Sequence, residues 1–265
     1  MITKGAPWRF NPNDIYMLTT LTARTNYVND RYFSLYKRVG FRDSDRLKAL
    51  LIGDSFSQDF YNMIAEAGIL SGAEFRVNYI QAACQIYRGQ DDPFAFINEA
   101  DKTSCKRDVY NDQFIALQDK LIADADVAIF AASWLQWSAE RLNKTIANFN
   151  IPQKAKVIVI GRKHFGAIAI KEYFSIPLDR RNVLRNDVGA DHLETNAIMK
   201  KAFENQTRIK FVDLHAIVCG EESRSCPIFT PEGLLISFDG AHLTEAGAKY
   251  IGSLLKDHPT FVLSK

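Results

Sequence analysis

The stretch LKALLIGDSFSQDFYNMI, residues 47–64, decides how the chain reads. Leu47 to Ile52 form an apolar run that stops at Gly53. After Asp54-Ser55 the pattern changes to polar and apolar residues at helical spacing. A short buried strand that turns tightly into a helix is the opening unit of an α/β fold. Ser55 lies where that helix begins. It can be a helix N-cap, the commoner use of the residue type, or a nucleophile held at a strand tip.

Outward from this unit, apolar runs rich in Val and Ile recur at 75–80, 126–132, 156–161 and 210–214, besides 48–52. Each is short and bounded by turn residues, as buried strands are. Helical spacing appears between them at 57–70, 111–124, 136–149 and 191–206. A last helix is expected after Leu243, with Thr244 as N-cap ahead of EAGAKYIGSLLK. Strands alternating with helices predict an α/β fold, a three-layer α/β/α sandwich around a five-stranded parallel sheet in flavodoxin-like order. Residues 1–46 show no clear period and read as an N-terminal extension packed on a main domain of 47–265. The stretches 84–110 and 162–190 read as long irregular loops at the functional edge of the sheet.

The 265 residues carry a net charge of +2 with the charges dispersed, so no basic stripe marks a nucleic-acid partner. No run of eighteen apolar residues suggests a transmembrane helix, and the first residues lack the apolar core of a signal peptide. The chain therefore reads as cytosolic, or as a piece of a longer exported protein. The four cysteines bear on that choice. Cys84, Cys105, Cys219 and Cys226 form no CxxC pair and have no histidine at zinc spacing, so no metal is expected. The favoured pairing is Cys84–Cys105 and Cys219–Cys226, because each pair brackets one loop-like segment. Such bonds would require an oxidising compartment; four reduced thiols in a cytosolic protein are the alternative.

Ligands of an open parallel sheet bind beyond the carboxyl ends of its strands, which is where Ser55 is expected. The helix N-terminus behind it offers unsatisfied N–H groups to an oxyanion. A serine nucleophile needs a base, itself oriented by a third group. In SFDGAHLTEAG, Asp239 precedes His242 by three residues in a Gly-containing turn. That loop can fold the carboxylate onto Nδ1 and leave Nε2 free to take a proton; an ordinary D-G turn with a surface histidine is the plainer reading. His192 also has an aspartate beside it, but adjacent side chains on a helix point apart, so Asp191 is a poor orienting group. His164 and His215 follow the fourth and fifth strands and can touch substrate or fill loops. His258 completes the five histidines.

GDSF at 53–56 resembles the first block of the SGNH (GDSL-type) hydrolase superfamily, and FDGAHLT at 238–244 resembles its last, with the D-x-x-H pair. Within that superfamily the chain looks most like the SGNH domain attached to membrane acyltransferases of family 3, which O-acylate bacterial surface polysaccharides. In that group a cysteine follows strand two and another follows a loop, a Trp follows strand three and a short C…C loop follows strand five. Here these are Cys84, Cys105, Trp134 and Cys219…Cys226. The resemblance covers about 47–257 and makes residues 1–46 the counterpart of the linker to the membrane part. It implies a periplasmic or other extracytoplasmic location in a membrane-anchored protein. It departs from the broader superfamily at two places: no Gly lies where expected in IQAACQIY, and no Asn in AASWLQW.

The resemblance implies serine-dependent acyl transfer, acetyl by default, through an acyl-enzyme on Ser55, with His242 as base held by Asp239 and no metal or organic cofactor. The Ser55 N–H is the expected oxyanion donor, joined by the N–H of Ala83 or Cys84 and the Ser133–Trp134 region, with His164 as a substrate contact. Trp134 and Trp137 are candidates to stack on a sugar ring, or are core. The partners implied are a polysaccharide or oligosaccharide acceptor, an acyl donor and a membrane acyltransferase domain in the same or another chain. A carbohydrate O-acetyl esterase and a non-catalytic polysaccharide-binding SGNH domain are the alternatives. A flavodoxin-type phosphate loop is thin in GDSFSQ, and a receiver domain lacks its acidic cluster and lysine.

Overall fold

A computed structural model describes residues 11–36, 40–42, 45–221 and 223–262. In chain order it contains helix α1 (Pro12–Tyr36), strand β1 (Lys48–Gly53), α2 (Ser55–Glu66), β2 (Glu74–Tyr79), a 3-10 turn (Pro93–Ala95), α3 (Glu99–Asp108), α4 (Asp112–Ala123), β3 (Val127–Ala131) and α5 (Gln136–Ala147). Then follow β4 (Lys156–Ile160), α6 (Ile170–Tyr173), α7 (Leu178–Arg181), β5 (Arg185–Asp187), α8 (Ala190–Phe203), β6 (Ile209–Val212), α9 (Leu214–Cys219), β7 (Ser225–Pro227) and α10 (Glu245–Leu255).

Five strands form one sheet in the order β2-β1-β3-β4-β6, all parallel. Successive β1 side chains point to opposite faces. Ala49 and Leu51 enter one apolar cluster with Phe60 and Met63 of α2 and Ile251 of α10. Leu50 and Ile52 enter the other with Leu121 of α4, Leu142 of α5 and Met199 of α8. A sheet with apolar residues on both faces has to be covered on both, which gives the expected three layers. The five expected strands and the helices at α2, α4, α5, α8 and α10 are all present. Thr244 caps α10 by accepting the Gly247 N–H at 2.9 Å.

Three segments differ from the sequence reading. Residues 12–36, read as aperiodic, are a 25-residue helix whose Met17, Val28, Tyr32 and Leu35 are buried. This helix is tied down by an Asp14–Arg181 ion pair of 2.7 Å and by the Tyr32 hydroxyl, 2.9 Å from Ser57 Oγ. The 84–110 stretch contains α3, a polar helix in which Cys105 alone is buried. The 162–190 stretch contains α6, α7 and β5, and β5 pairs antiparallel with β7. Disulfides join Cys84 to Cys105 and Cys219 to Cys226, which fastens α3 to the turn after β2 and the end of α9 to β7. Among the described residues no helix is long and apolar enough to cross a membrane.

Candidate active site

The turn from β1 into α2 is shaped by a close backbone contact. A Cβ on Gly53 would lie 1.7 Å from the Ala131 carbonyl oxygen, so only glycine lets β1 turn beside β3. The N-cap of α2 is Asp54, not Ser55. Its Oδ1 accepts the Phe56 N–H at 2.8 Å, and its Oδ2 accepts the Ser133 N–H at 2.8 Å and the Ser133 hydroxyl at 2.6 Å. Burial pushes the Asp54 carboxyl up from its ordinary range, against the pull of Ser133, the Phe56 N–H and Lys163. With the cap supplied by its neighbour, Ser55 becomes the first helical residue, half-buried, with its hydroxyl available to another partner.

That partner comes from the turn before α10. Gly240 has φ +89°, and a Cβ there would meet the Gly166 carbonyl oxygen at 2.1 Å. Asp239 Oδ1 accepts the N–H groups of Ala241 (2.9 Å) and His242 (2.7 Å), while Oδ2 lies 2.8 Å from His242 Nδ1. The other ring nitrogen, Nε2, lies 2.8 Å from Ser55 Oγ. The Phe56 ring meets the imidazole edge-on, and Phe238 stacks on it. Burial raises the Asp239 carboxyl, but the His242 hydrogen bond and two backbone N–H groups outweigh it and hold it down at about 2. The Asp239 bond in turn holds His242 above the ordinary histidine range, against the effect of burial. Gly240→Ala is expected to lower stability by about 1–3 kcal/mol and to cut activity as the turn shifts. Thermal unfolding beside a rate assay checks both.

The other expected residues divide. The Cys84 N–H donates to Gln81 O at 2.9 Å and the Ser133 N–H is taken by Asp54, so neither is free to bind an oxyanion. The Ser55 and Ala83 N–H groups have no hydrogen-bond partner among the described residues. Trp134 is fully buried and its indole N–H donates to Ile160 O at 2.9 Å, so it is core and cannot stack on a sugar. Trp137 stacks on Phe96 instead. His164 stacks on His192 with ring centroids 4.2 Å apart, beside the Asp239–His242 turn. Burial, with Arg162 and His164, pushes His192 down to about 4. Its Nε2 is 3.8 Å from Asp191, beyond a hydrogen bond.

His215 is buried in α9, near Cys219 and Cys226, but those sulfurs are bonded to each other and leave no thiolate for a metal. Sequence reasoning missed three residues at this edge. Gln85, at φ +57°, accepts the Leu135 N–H at 2.9 Å and donates to Ser133 O at 3.3 Å, joining the turns after β2 and β3. Asp59 and Lys163 form a buried ion pair of 2.8 Å beneath His242. Asp59 follows Ser55 at i+4, a helical-face signal that could have drawn attention to that carboxylate.

A parallel five-stranded sheet with a Ser, an Asp and a His meeting at its carboxyl edge is the frame of an SGNH-type domain. The family profile described as "SGNH domain (fused to AT3 domains)" matches residues 25–257, and the chain belongs to that family. A comparison with curated protein sequences gives no match. Among solved structures, the fold is similar to that of the periplasmic domain of a lipopolysaccharide acetyltransferase of Salmonella ser. Paratyphi A. The two share 14% identity over 92% of this chain and 95% of that one, with a TM-score of 0.54. The C-terminal catalytic domain of Streptococcus pneumoniae peptidoglycan O-acetyltransferase A also matches, at 14% identity over 79% and 90% of the chains, with a TM-score of 0.37.

Proposed function

We propose that this domain transfers an acyl group, acetyl in the first instance, to a hydroxyl of a bacterial surface polysaccharide through an acyl-enzyme on Ser55. The observation that carries the reading is the Asp239–His242–Ser55 chain, with 2.8 Å at each ring nitrogen. His242 Nε2 takes the Ser55 proton as Oγ attacks the acyl carbonyl. The tetrahedral oxyanion lies against the Ser55 N–H, with the Ala83 N–H on the turn after β2 as second donor. His242 returns the proton to the leaving group and the acyl-enzyme forms. A sugar hydroxyl, deprotonated by the same nitrogen, then attacks the acyl carbon and releases Ser55.

The family's association with AT3 domains supports a membrane acyltransferase as the source of the acyl group, and both disulfides favour a compartment outside the cytoplasm. Helix α1 and the residues before β1 then connect the membrane part to the catalytic sandwich. The test is release of p-nitrophenol from p-nitrophenyl acetate by wild type, Ser55→Ala and His242→Ala, with and without an oligosaccharide acceptor. Turnover lost in both variants and acetyl found on the sugar would support the transferase. Acetate released with the sugar unmodified would make water the acceptor and the domain an esterase. Turnover retained in Ser55→Ala would end the reading.

A further inference from the structure

Ser55 and Asp59 are one helical turn apart and share a face of α2. Asp59 is fully buried, and Oδ2 lies 2.8 Å from the equally sequestered Lys163 Nζ. The ammonium also donates to the Ala241 carbonyl oxygen and stands 3.9 Å over the Phe56 ring. The other Asp59 oxygen accepts the Leu243 N–H at 3.2 Å. One carboxylate and its counter-ion therefore hold backbone groups on both sides of His242. Lys163 is itself fixed, because the preceding residue is bonded through its N–H (2.7 Å) and its carbonyl (2.8 Å) to the Asn196 side chain of α8.

Stability alone is a poor account of such a pair. The desolvation of two buried charges consumes much of their attraction, and apolar residues of similar volume often serve as well. We infer that Asp59 and Lys163 are positioning residues for the acyl transfer proposed above. The pair locks the His242 backbone to the helix that carries Ser55, so the base meets the nucleophile at a distance set beneath the site. The inference rests on that proposed reaction for its kinetic consequences alone; the coupling of Asp59 to the His242 ring can be measured without turnover.

The charged groups facing His242 are Asp239 from its own turn, Asp59 from α2 and Lys163 from the segment after β4, with the neutral Ser55 hydroxyl at Nε2. Asp59 favours the imidazolium and Lys163 opposes it, the anion having the greater effect. Asp59→Asn is therefore expected to move the His242 titration, followed by NMR of the labelled imidazole, to lower pH. Lys163→Met is expected to lower kcat about ten- to hundredfold with KM little changed, since a base displaced by an ångström loses rate rather than binding.

Asp59→Leu/Lys163→Met, which replaces the pair by apolar residues, keeps the test independent of folding cost and should show the same kcat loss. Ile158→Val, a core change in β4, serves as a stability control and should keep the wild-type kcat well below its Tm. A kcat unchanged in the double variant, a loss that falls on KM, or an unmoved His242 titration in Asp59→Asn would overturn the inference. A wild type without turnover, in which Asp59→Asn still shifts the ring, would overturn the proposed reaction and leave the coupling standing.

Discussion

Replacing Ser55 with alanine is expected to abolish acyl transfer, with kcat/KM falling by about 10⁴- to 10⁶-fold. The substitution removes the oxygen that lies 2.8 Å from His242 Nε2. It should leave the fold intact, for a specific reason. The cap of α2 is the Asp54 carboxylate, which accepts from Phe56 and from Ser133, and none of those bonds involves the Ser55 hydroxyl. A change in unfolding free energy within about 0.5 kcal/mol is expected, as for substitutions that break no buried contact. Circular dichroism and thermal unfolding beside the rate assay separate a lost nucleophile from a lost fold. Activity within tenfold of wild type would place the reacting atom elsewhere.

Asp239→Asn should be nearly as severe, with kcat falling by about 10⁴-fold. Asparagine can donate to the imidazole through its amide, which favours the wrong tautomer and puts the ring proton on Nε2, where Ser55 needs an acceptor. The pH profile should change as well. A base works in its neutral form, so wild-type activity rises with pH through the His242 titration. The Asp239 bond holds that titration above the ordinary value of about 6.5. Without the anion the imidazolium loses its main support, and the acid limb of any residual activity should move to lower pH. A limb that stays in place would mean that another group controls it. The variant also removes a carboxyl held near 2, whose contribution to stability is present above its unfolded value and is lost as pH falls toward 2. The wild type should therefore lose more stability than Asp239→Asn over that acid range.

The sheet was legible because its strands are buried on both faces and so appear as continuous apolar runs, such as Ala49 to Ile52 or Val157 to Ile160. Helix α3 was not, since EADKTSCKRD carries no apolar stripe; it is held by the bond from Cys105 to Cys84 and not by periodicity. In helix α1 the buried Val28, Tyr32 and Leu35 do stand at helical spacing, but the exposed Ile15, Phe33 and Tyr36 blur that stripe in the sequence. At the site, the chemistry of GDS and DGAH made Ser55, Asp239 and His242 candidates. The turns that surround them were read less well. Ser133 was expected to donate to an oxyanion, but its N–H and hydroxyl both serve Asp54. Trp134 was a candidate platform, but it is sealed between layers. Asp59 and Lys163 are 104 residues apart, and a single charge in a helix or a loop reads as surface until the fold closes over it.

Ser55 and His242 are 187 residues apart in the chain. The fifth sheet strand ends at Val212, before the turn that carries the base. A nascent polypeptide that has emerged as far as β6 thus holds all five sheet strands and Ser55, but not the Asp239–His242 turn. The Ser55–His242 contact can form only when that last turn docks over α2, so completion of the fold is what assembles the proposed site.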